Sequence, residues 1–246
     1  MKNIEPWYVT AFKADYREVY PHRDLASARA EVNWLVEQGL QGRTLDLCCG
    51  FGRHSLAMAQ AGLDVFGLDL SEELLVQASG LPEGERLDGR LLRGDARKLP
   101  YGADSFDSLA NLFSSFGYFG EAGDGEVLDG IARVLRPGGF LVMDLMNPAR
   151  IRAGLVPESE REQGGARLIE RRALEEGGRR VTKEVRLEHP DGRVHSWRED
   201  VRMYEPAEMA ELLGSRGISV LSTFGSFAGA AFDSEAERQL LLARAE

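Results

Sequence analysis

Short apolar runs alternate with helical patterns between about residues 43 and 147. The runs at Thr44–Cys48, Asp64–Asp69, Leu87–Arg93, Ser105–Asn111 and Gly139–Leu145 read as strands, with helical periodicity following the first, second and fourth. Such alternation predicts a mostly parallel sheet covered by helices on both faces. Right-handed crossovers then put a ligand at the carboxyl ends of the strands, which decides where chemistry is sought.

The flanks have different rhythms. Tyr8, Phe12, Tyr16 and Tyr20 recur every four residues and predict one helix face, and a second helix is predicted through Ala26, Ala30, Trp34 and Leu35. Residues 5–40 are therefore expected to form a helical segment whose aromatics dock on the core, some of them reaching a ligand as a lid. Across 148–204 the helical pattern stops. Ala166–Glu175, Arg179–His189 and Arg193–Tyr204 read as strands separated by Gly177-Gly178 and Asp191-Gly192, so an antiparallel insert is predicted, Asp-Gly being a hairpin signal because both residues can accept positive φ. From 205 to 246 a helix with Pro206 near its start is followed by Gly217, and strands at Ile218–Phe224 and Gln239–Ala245 are expected to close the sheet. With no repeat or low-complexity linker, residues 1–246 are expected to fold as one unit.

The strand ends carry the candidate chemistry. The first runs Leu45-Asp46-Leu47-Cys48-Cys49-Gly50-Phe51-Gly52-Arg53-His54 into a helical pattern, where two glycines let the backbone turn and approach a ligand. That turn alone leaves nicotinamide, flavin and adenosyl cofactors open, although Ser55 stands where a dinucleotide fingerprint has its third glycine. Asp69 ends the second strand, 19 residues beyond Gly50, where a carboxylate can accept from two ribose hydroxyls. Gly94-Asp95-Ala96 follows the third strand, the fourth ends at Asn111, and Leu135-Arg136-Pro137-Gly138-Gly139 leads into the fifth.

In order and spacing, over about 100 residues, these motifs resemble the class I S-adenosylmethionine-dependent methyltransferases. The resemblance implies an α/β, Rossmann-like fold with a mostly parallel seven-stranded sheet, an N-terminal helical lid and an antiparallel β insert after the fifth strand. It implies S-adenosylmethionine as cofactor and S-adenosylhomocysteine as product. By the same resemblance Gly50 and Gly52 line the methionine part, Asp69 takes the ribose, Asp95 and the Ala96 amide meet the adenine edge, Leu70 packs on its face, and Asn111 lies beside the methionine end. Tyr16, Tyr20 and Arg23 are similar to a segment that folds over the cofactor in small-molecule enzymes, with Tyr20 and Arg23 on its carboxylate. Phe51 departs from the small residue often found between the glycines and narrows that end. An insert at this place covers the acceptor in such enzymes, so Phe116, Tyr118, His195, Trp197 and Tyr204 are expected acceptor-side residues.

Charge narrows the acceptor. Thirty Lys and Arg against 40 Asp and Glu give a net charge of −10, which repels a phosphate backbone, and the arginines between 161 and 180 are interleaved with glutamates. A small molecule is the expected acceptor and nucleic acid an unlikely partner; an RNA or protein methyltransferase and a non-catalytic adenosyl-binding protein are the alternatives. The adjacent Cys48 and Cys49 offer neither disulfide geometry nor metal-ligand spacing, so no metal is expected. No apolar run approaches the roughly 20 residues of a membrane span and the first residues lack a secretory apolar core, so the expected location is the cytoplasm. The acceptor atom, the catalytic base and the oligomeric state are not legible in the sequence.

Overall fold

A computed structural model describes residues 5–13, 19–20 and 23–246. Its centre is a seven-stranded sheet in the order β10-β11-β5-β4-β1-β2-β3, with β1 Arg43–Leu47, β2 Asp64–Asp69, β3 Leu91–Arg93, β4 Phe106–Asn111, β5 Leu135–Met146, β10 Ile218–Phe224 and β11 Arg238–Ala245. Strands β1 to β5 pair in parallel, and β11 runs antiparallel to both β5 and β10. The fold is the Rossmann-like α/β arrangement expected. Strand β1 is flanked by β2 and β4, so the order reverses there and a crevice opens above the strand ends.

Helices cover both faces. On one, α2 (Leu25–Gln38), α3 (Arg53–Gln60) and α4 (Glu72–Ala78) bury Val32, Leu35, Leu56, Met58 and Leu74. On the other, α5 (Gly120–Val134) and α7 (Pro206–Gly214) bury Leu128, Ile131, Met209 and Leu213. Helix α2 starts where Asp24 Oδ1 accepts from the Ser27 amide at 2.8 Å, which satisfies an amide that the helix cannot.

The N-terminal stripe differs from its expectation. Helix α1 (Trp7–Thr10) is a single turn followed by bends at 11–13, and Tyr16 lies outside the described residues. The third strand is also shorter than predicted. Gly84–Leu87 forms a 3₁₀ turn, Gly89 takes φ +69°, and the chain becomes extended only at Leu91.

The insert follows α6 (Pro148–Gly154) and is a four-stranded antiparallel sheet in the order β6-β7-β8-β9: Glu158–Gln163, Ala166–Glu175, Arg180–Glu188 and Val194–Arg202. Strand β6, Glu-Ser-Glu-Arg-Glu-Gln, shows no apolar alternation and was not predicted. A backbone ladder joins it to β7 from Glu158 to Gln163, and charges line that ladder: Arg167 pairs with Glu160 at 2.6 Å, Arg171 with Glu158 at 3.1 Å, and Arg161 with the buried Glu170 at 3.0 Å. Arg161, Arg167 and Arg171 thus form ion pairs across the β6–β7 ladder, whereas Arg172 pairs with Glu170 on its own strand and Arg180 with Asp200 on β9. At the Asp191-Gly192 turn only Gly192 takes positive φ, +87°. Strands β8 and β9 end at Glu188 and Val194, so the connection is a longer loop than a two-residue turn. The insert is joined to the body at Gly117, φ +89°, whose carbonyl accepts from the Arg202 amide at 2.8 Å. A Cβ at Gly117 would stand 2.3 Å from the Arg202 carbonyl oxygen, so only glycine allows this approach.

Candidate functional site

At the end of β1 the chain reverses sharply. Cys48 takes φ +62°, a conformation costing a side-chain-bearing residue roughly 1–2 kcal/mol, and Gly50 and Gly52 follow at +57° and +77°. Asn111 at the end of β4 donates through Nδ2 to the Leu47 carbonyl at 3.1 Å and to the Ser115 carbonyl at 3.4 Å, tying this turn to its neighbour. Asp69 braces it from the other side. Its Oδ2 accepts from the Gly50 amide and its Oδ1 from the Ser71 amide, each at 2.8 Å. A carboxylate has about four acceptor positions, so two remain for a ligand. Burial pushes the Asp69 carboxyl above its usual range against the pull of those two amides.

Above these strand ends lies a cavity of about 80 Å³, lined by Cys48, Gly50, Asp69, Leu70, Asp95 and Ala96 from the sheet side. Tyr8, Phe12, Tyr118 and Phe119 close it from above. Tyr8 meets Phe119 edge-on at 4.8 Å and Phe12 stacks with Tyr118 at 5.9 Å, contacts that favour one arrangement of the rings. Ser71 Oγ donates to the Phe12 carbonyl at 2.6 Å and so anchors the N-terminal segment to the start of α4. Asp95 is held by Arg97, whose backbone amide and Nε donate to Oδ1 at 2.9 and 3.0 Å while Nη2 donates to Oδ2 at 2.6 Å. These hydrogen bonds keep the Asp95 carboxyl below its usual range.

A second cavity, of about 330 Å³, adjoins the first through Phe12, Ser115 and Tyr118. Its walls are charged. Lys183 and Glu199, opposite each other on β8 and β9, pair at 2.9 Å; Tyr20 and Trp197 Nε1 both donate to Glu199 Oε1 at 3.1 Å, and Lys183 also donates to the Tyr20 hydroxyl. Burial, then Glu199, pushes the Tyr20 phenol far up; burial does the same to Tyr118. Both phenols are therefore hydrogen-bond donors at neutral pH. Across the cavity Arg23 lies 4.2 Å over the Tyr20 ring and 4.7 Å over Phe113.

Residues 44–139 match the family model described as a methyltransferase domain. An uncharacterized methyltransferase of Synechocystis sp. is 35% identical over 109 residues, 44% of this chain and 49% of that protein. A demethylmenaquinone methyltransferase of Thermus thermophilus is 30% identical over 154 residues, 57% of this chain and 69% of that protein. The chain belongs to the class I S-adenosylmethionine-dependent methyltransferases. It spans about half the length of most curated relatives it matches. An S-adenosylmethionine-dependent methyltransferase structure from Clostridium acetobutylicum, 16% identical, superposes with a TM-score of 0.79 over 94% of this chain and 96% of that one, a likeness of fold.

Within this methyltransferase fold the predicted cofactor residues divide. Gly50, Asp69, Leu70, Asp95 and Ala96 line the first cavity, and Tyr20 and Arg23 line the second. Gly52 lines neither; it opens α3 and faces Ala78, Leu87 and Leu91. Asn111 is buried behind the turn it ties, with Oδ1 lacking a hydrogen-bond partner among the described residues. Of the expected acceptor-side residues only Tyr118 reaches either cavity. Phe116 and Tyr204 pack on each other at 5.2 Å, and the Tyr204 hydroxyl donates to Asp124 at 2.7 Å, which draws both rings into the core beside α5. Trp197 is buried where the insert meets the N-terminal segment and acts on the cavity only through Glu199, and His195 packs against Trp197 at 4.9 Å. The residues that replace them at the second cavity, Lys183, Glu199 and Arg238, carried no sequence motif. The strand alternation did place Glu199 on the Trp197 face.

Proposed function

We propose that this chain transfers a methyl group from S-adenosylmethionine to a small-molecule acceptor. The observation that carries the reading is the pair of abutting cavities, one ending in Asp69 and Asp95 over the glycine turn, the other polar and covered by the insert. The cofactor's sulfonium supplies an activated methyl group, so the protein's task is chiefly to align donor and acceptor and exclude water. Asp69 has two free acceptor positions for ribose hydroxyls. Asp95 and the Ala96 amide suit the adenine edge, with Arg97 fixing the Asp95 carboxylate in place. Leu70 suits the adenine face, and the four roof aromatics shield the site. Gly50 suits the methionine end, with Asn111 tying the turn behind it, and Arg23, charged at neutral pH although burial beside Arg53 and Arg238 lowers it to about 10, suits the methionine carboxylate, while Tyr20, whose O–H is given to Glu199, supports Arg23 through its ring. The acceptor enters the second cavity, with Ser115 and Tyr118 at the junction.

A small acceptor fits the net charge of −10 and an insert in which Arg161, Arg167, Arg171 and Arg172 are paired with its own glutamates. Among the described residues no helix is long and apolar enough to cross a membrane. A cytoplasmic enzyme folded as one unit is the reading that accompanies this function. Its test is incubation with methyl-tritiated S-adenosylmethionine and a cell extract separated into small-molecule and macromolecular fractions. Label is expected in the small-molecule fraction alone; label on RNA or protein would identify a macromolecular substrate, and no transferred label in either fraction would contradict methyl transfer.

A further inference from the structure

The second cavity is unevenly satisfied. Two carboxylates line it, Glu199 and Glu237, and Glu199 receives three donors, from Tyr20, Trp197 and Lys183. The Lys183 ammonium in turn is surrounded by Glu199, Tyr20 and, at 3.8 Å, Glu170. On the opposite wall Arg238, the first residue of β11, donates through Nη1 alone, to Asp144 Oδ2 at 2.7 Å. Its Nε and Nη2 make no hydrogen bond among the described residues, and the side chain remains 27% exposed to the cavity mouth. Asp144 is fully buried, and its Oδ2 also accepts from the Phe113 amide, so the guanidinium is fixed at one end and open at the other.

Aromatic contacts hold it in position as well. Arg238 lies 4.3 Å over the Phe113 ring, the same ring that Arg53 and Arg23 approach at 4.2 and 4.7 Å. Arg53 pairs with Glu31 at 3.4 Å and the Ser27 hydroxyl at 3.2 Å and does not line this cavity. A guanidinium packed between the Phe113 and Phe227 rings and tied at one nitrogen to Asp144, with two uncommitted donors beside a polar cavity, is built to take a planar or tetrahedral oxyanion through a fork of hydrogen bonds.

We propose that Arg238 is an acceptor-recognition residue and that the small molecule methylated here carries an acidic group, a carboxylate or a phosphate. This rests on the methyltransferase reading, in which Arg23 is assigned to the methionine carboxylate. Arg238 then sets which acceptors dwell beside the methyl group, and uncharged analogues bind poorly because its donors are left unmatched.

The test uses malonate and inorganic phosphate as probes, each titrated calorimetrically into protein saturated with S-adenosylhomocysteine, so that cofactor no longer competes at Arg23. At least one acid is expected to bind wild type, and which one does so separates carboxylate from phosphate. Arg238→Gln is expected to weaken that binding roughly tenfold or more while S-adenosylhomocysteine affinity stays within about twofold. Because Arg238→Gln leaves Asp144 buried without its cation, Arg238→Lys is run beside it. It retains the charge but loses the fork, and is expected to weaken the same acid by roughly threefold or more. Binding of neither acid up to about 50 mM, or equal binding by wild type and both variants, overturns the proposal. Failure of wild type to bind S-adenosylhomocysteine in the same cell overturns the methyltransferase reading and, with it, Arg238's role toward an acceptor. The two failures are thus separately visible.

Discussion

Asp69→Ala is expected to weaken S-adenosylhomocysteine binding by roughly 10- to 100-fold, a net loss equal to about one charge-assisted hydrogen bond of about 1.5–3 kcal/mol. The carboxylate has two tasks, bracing the Gly50 and Ser71 amides and offering its remaining lone pairs to a ligand. Asp69→Asn separates them. Its amide oxygen can still accept one backbone N–H, but the charge is gone and one acceptor has become a donor. The loss should therefore remain close to that of alanine if the ribose is the main partner, and shrink toward wild type if bracing is. Calorimetric titration of the three proteins reads the difference. Equal affinity in all three would remove Asp69 from the cofactor site.

Asp46→Asn is expected to stabilise the protein at neutral pH and much less in acid. Asp46 is 2% exposed inside β1 and accepts a hydrogen bond from the Ser55 hydroxyl at 2.6 Å. Burial pushes its carboxyl up to about 6, against the pull of Ser55 and Arg53. The sign follows from linkage. Between the unfolded value near 4 and the folded value near 6 the native state binds the extra proton, so stability from this group is present below about pH 4 and declines as pH rises to about 6. A difference of about two units is worth about 3 kcal/mol at neutral pH. Asparagine mimics the protonated acid and can keep the Ser55 bond, so subtracting the two proteins cancels the other titrating groups. Denaturant unfolding at pH 4 and pH 7.5 should show the variant's advantage growing by about 2 kcal/mol, because the unfolded carboxyl is already half ionised at pH 4; a pH-independent difference would mean that Asp46 is ionised at both.

The sequence carried the body of the fold because its strands are buried on both sides and read as apolar runs, and because each run ends in glycine or an acid whose spacing is fixed by the sheet. Asp69 and Asp95 were legible for that reason. The acceptor side was not. Strand β6 is polar throughout and pairs with β7 through its backbone, with ion pairs along the ladder, a pattern no hydrophobic periodicity reveals. Trp197 and Tyr204 looked like cavity walls because large aromatics suit both a ligand site and a core, and only the partners Glu199 and Asp124 show which way each ring turns. Arg238 sits more than 90 residues from Asp144, so its fixed guanidinium depends on the pairing of β11 with β5.

The most direct measurement is a crystal structure of this chain grown with S-adenosylhomocysteine. Adenosine is predicted between Asp69 and the Asp95–Ala96 turn beneath Tyr8 and Phe119, with the thioether pointing past Ser115 and Tyr118 into the second cavity. Density for the ligand elsewhere, or a strand-end crevice that stays empty at saturating concentration, would contradict the assignment of the two cavities to methyl donor and acceptor.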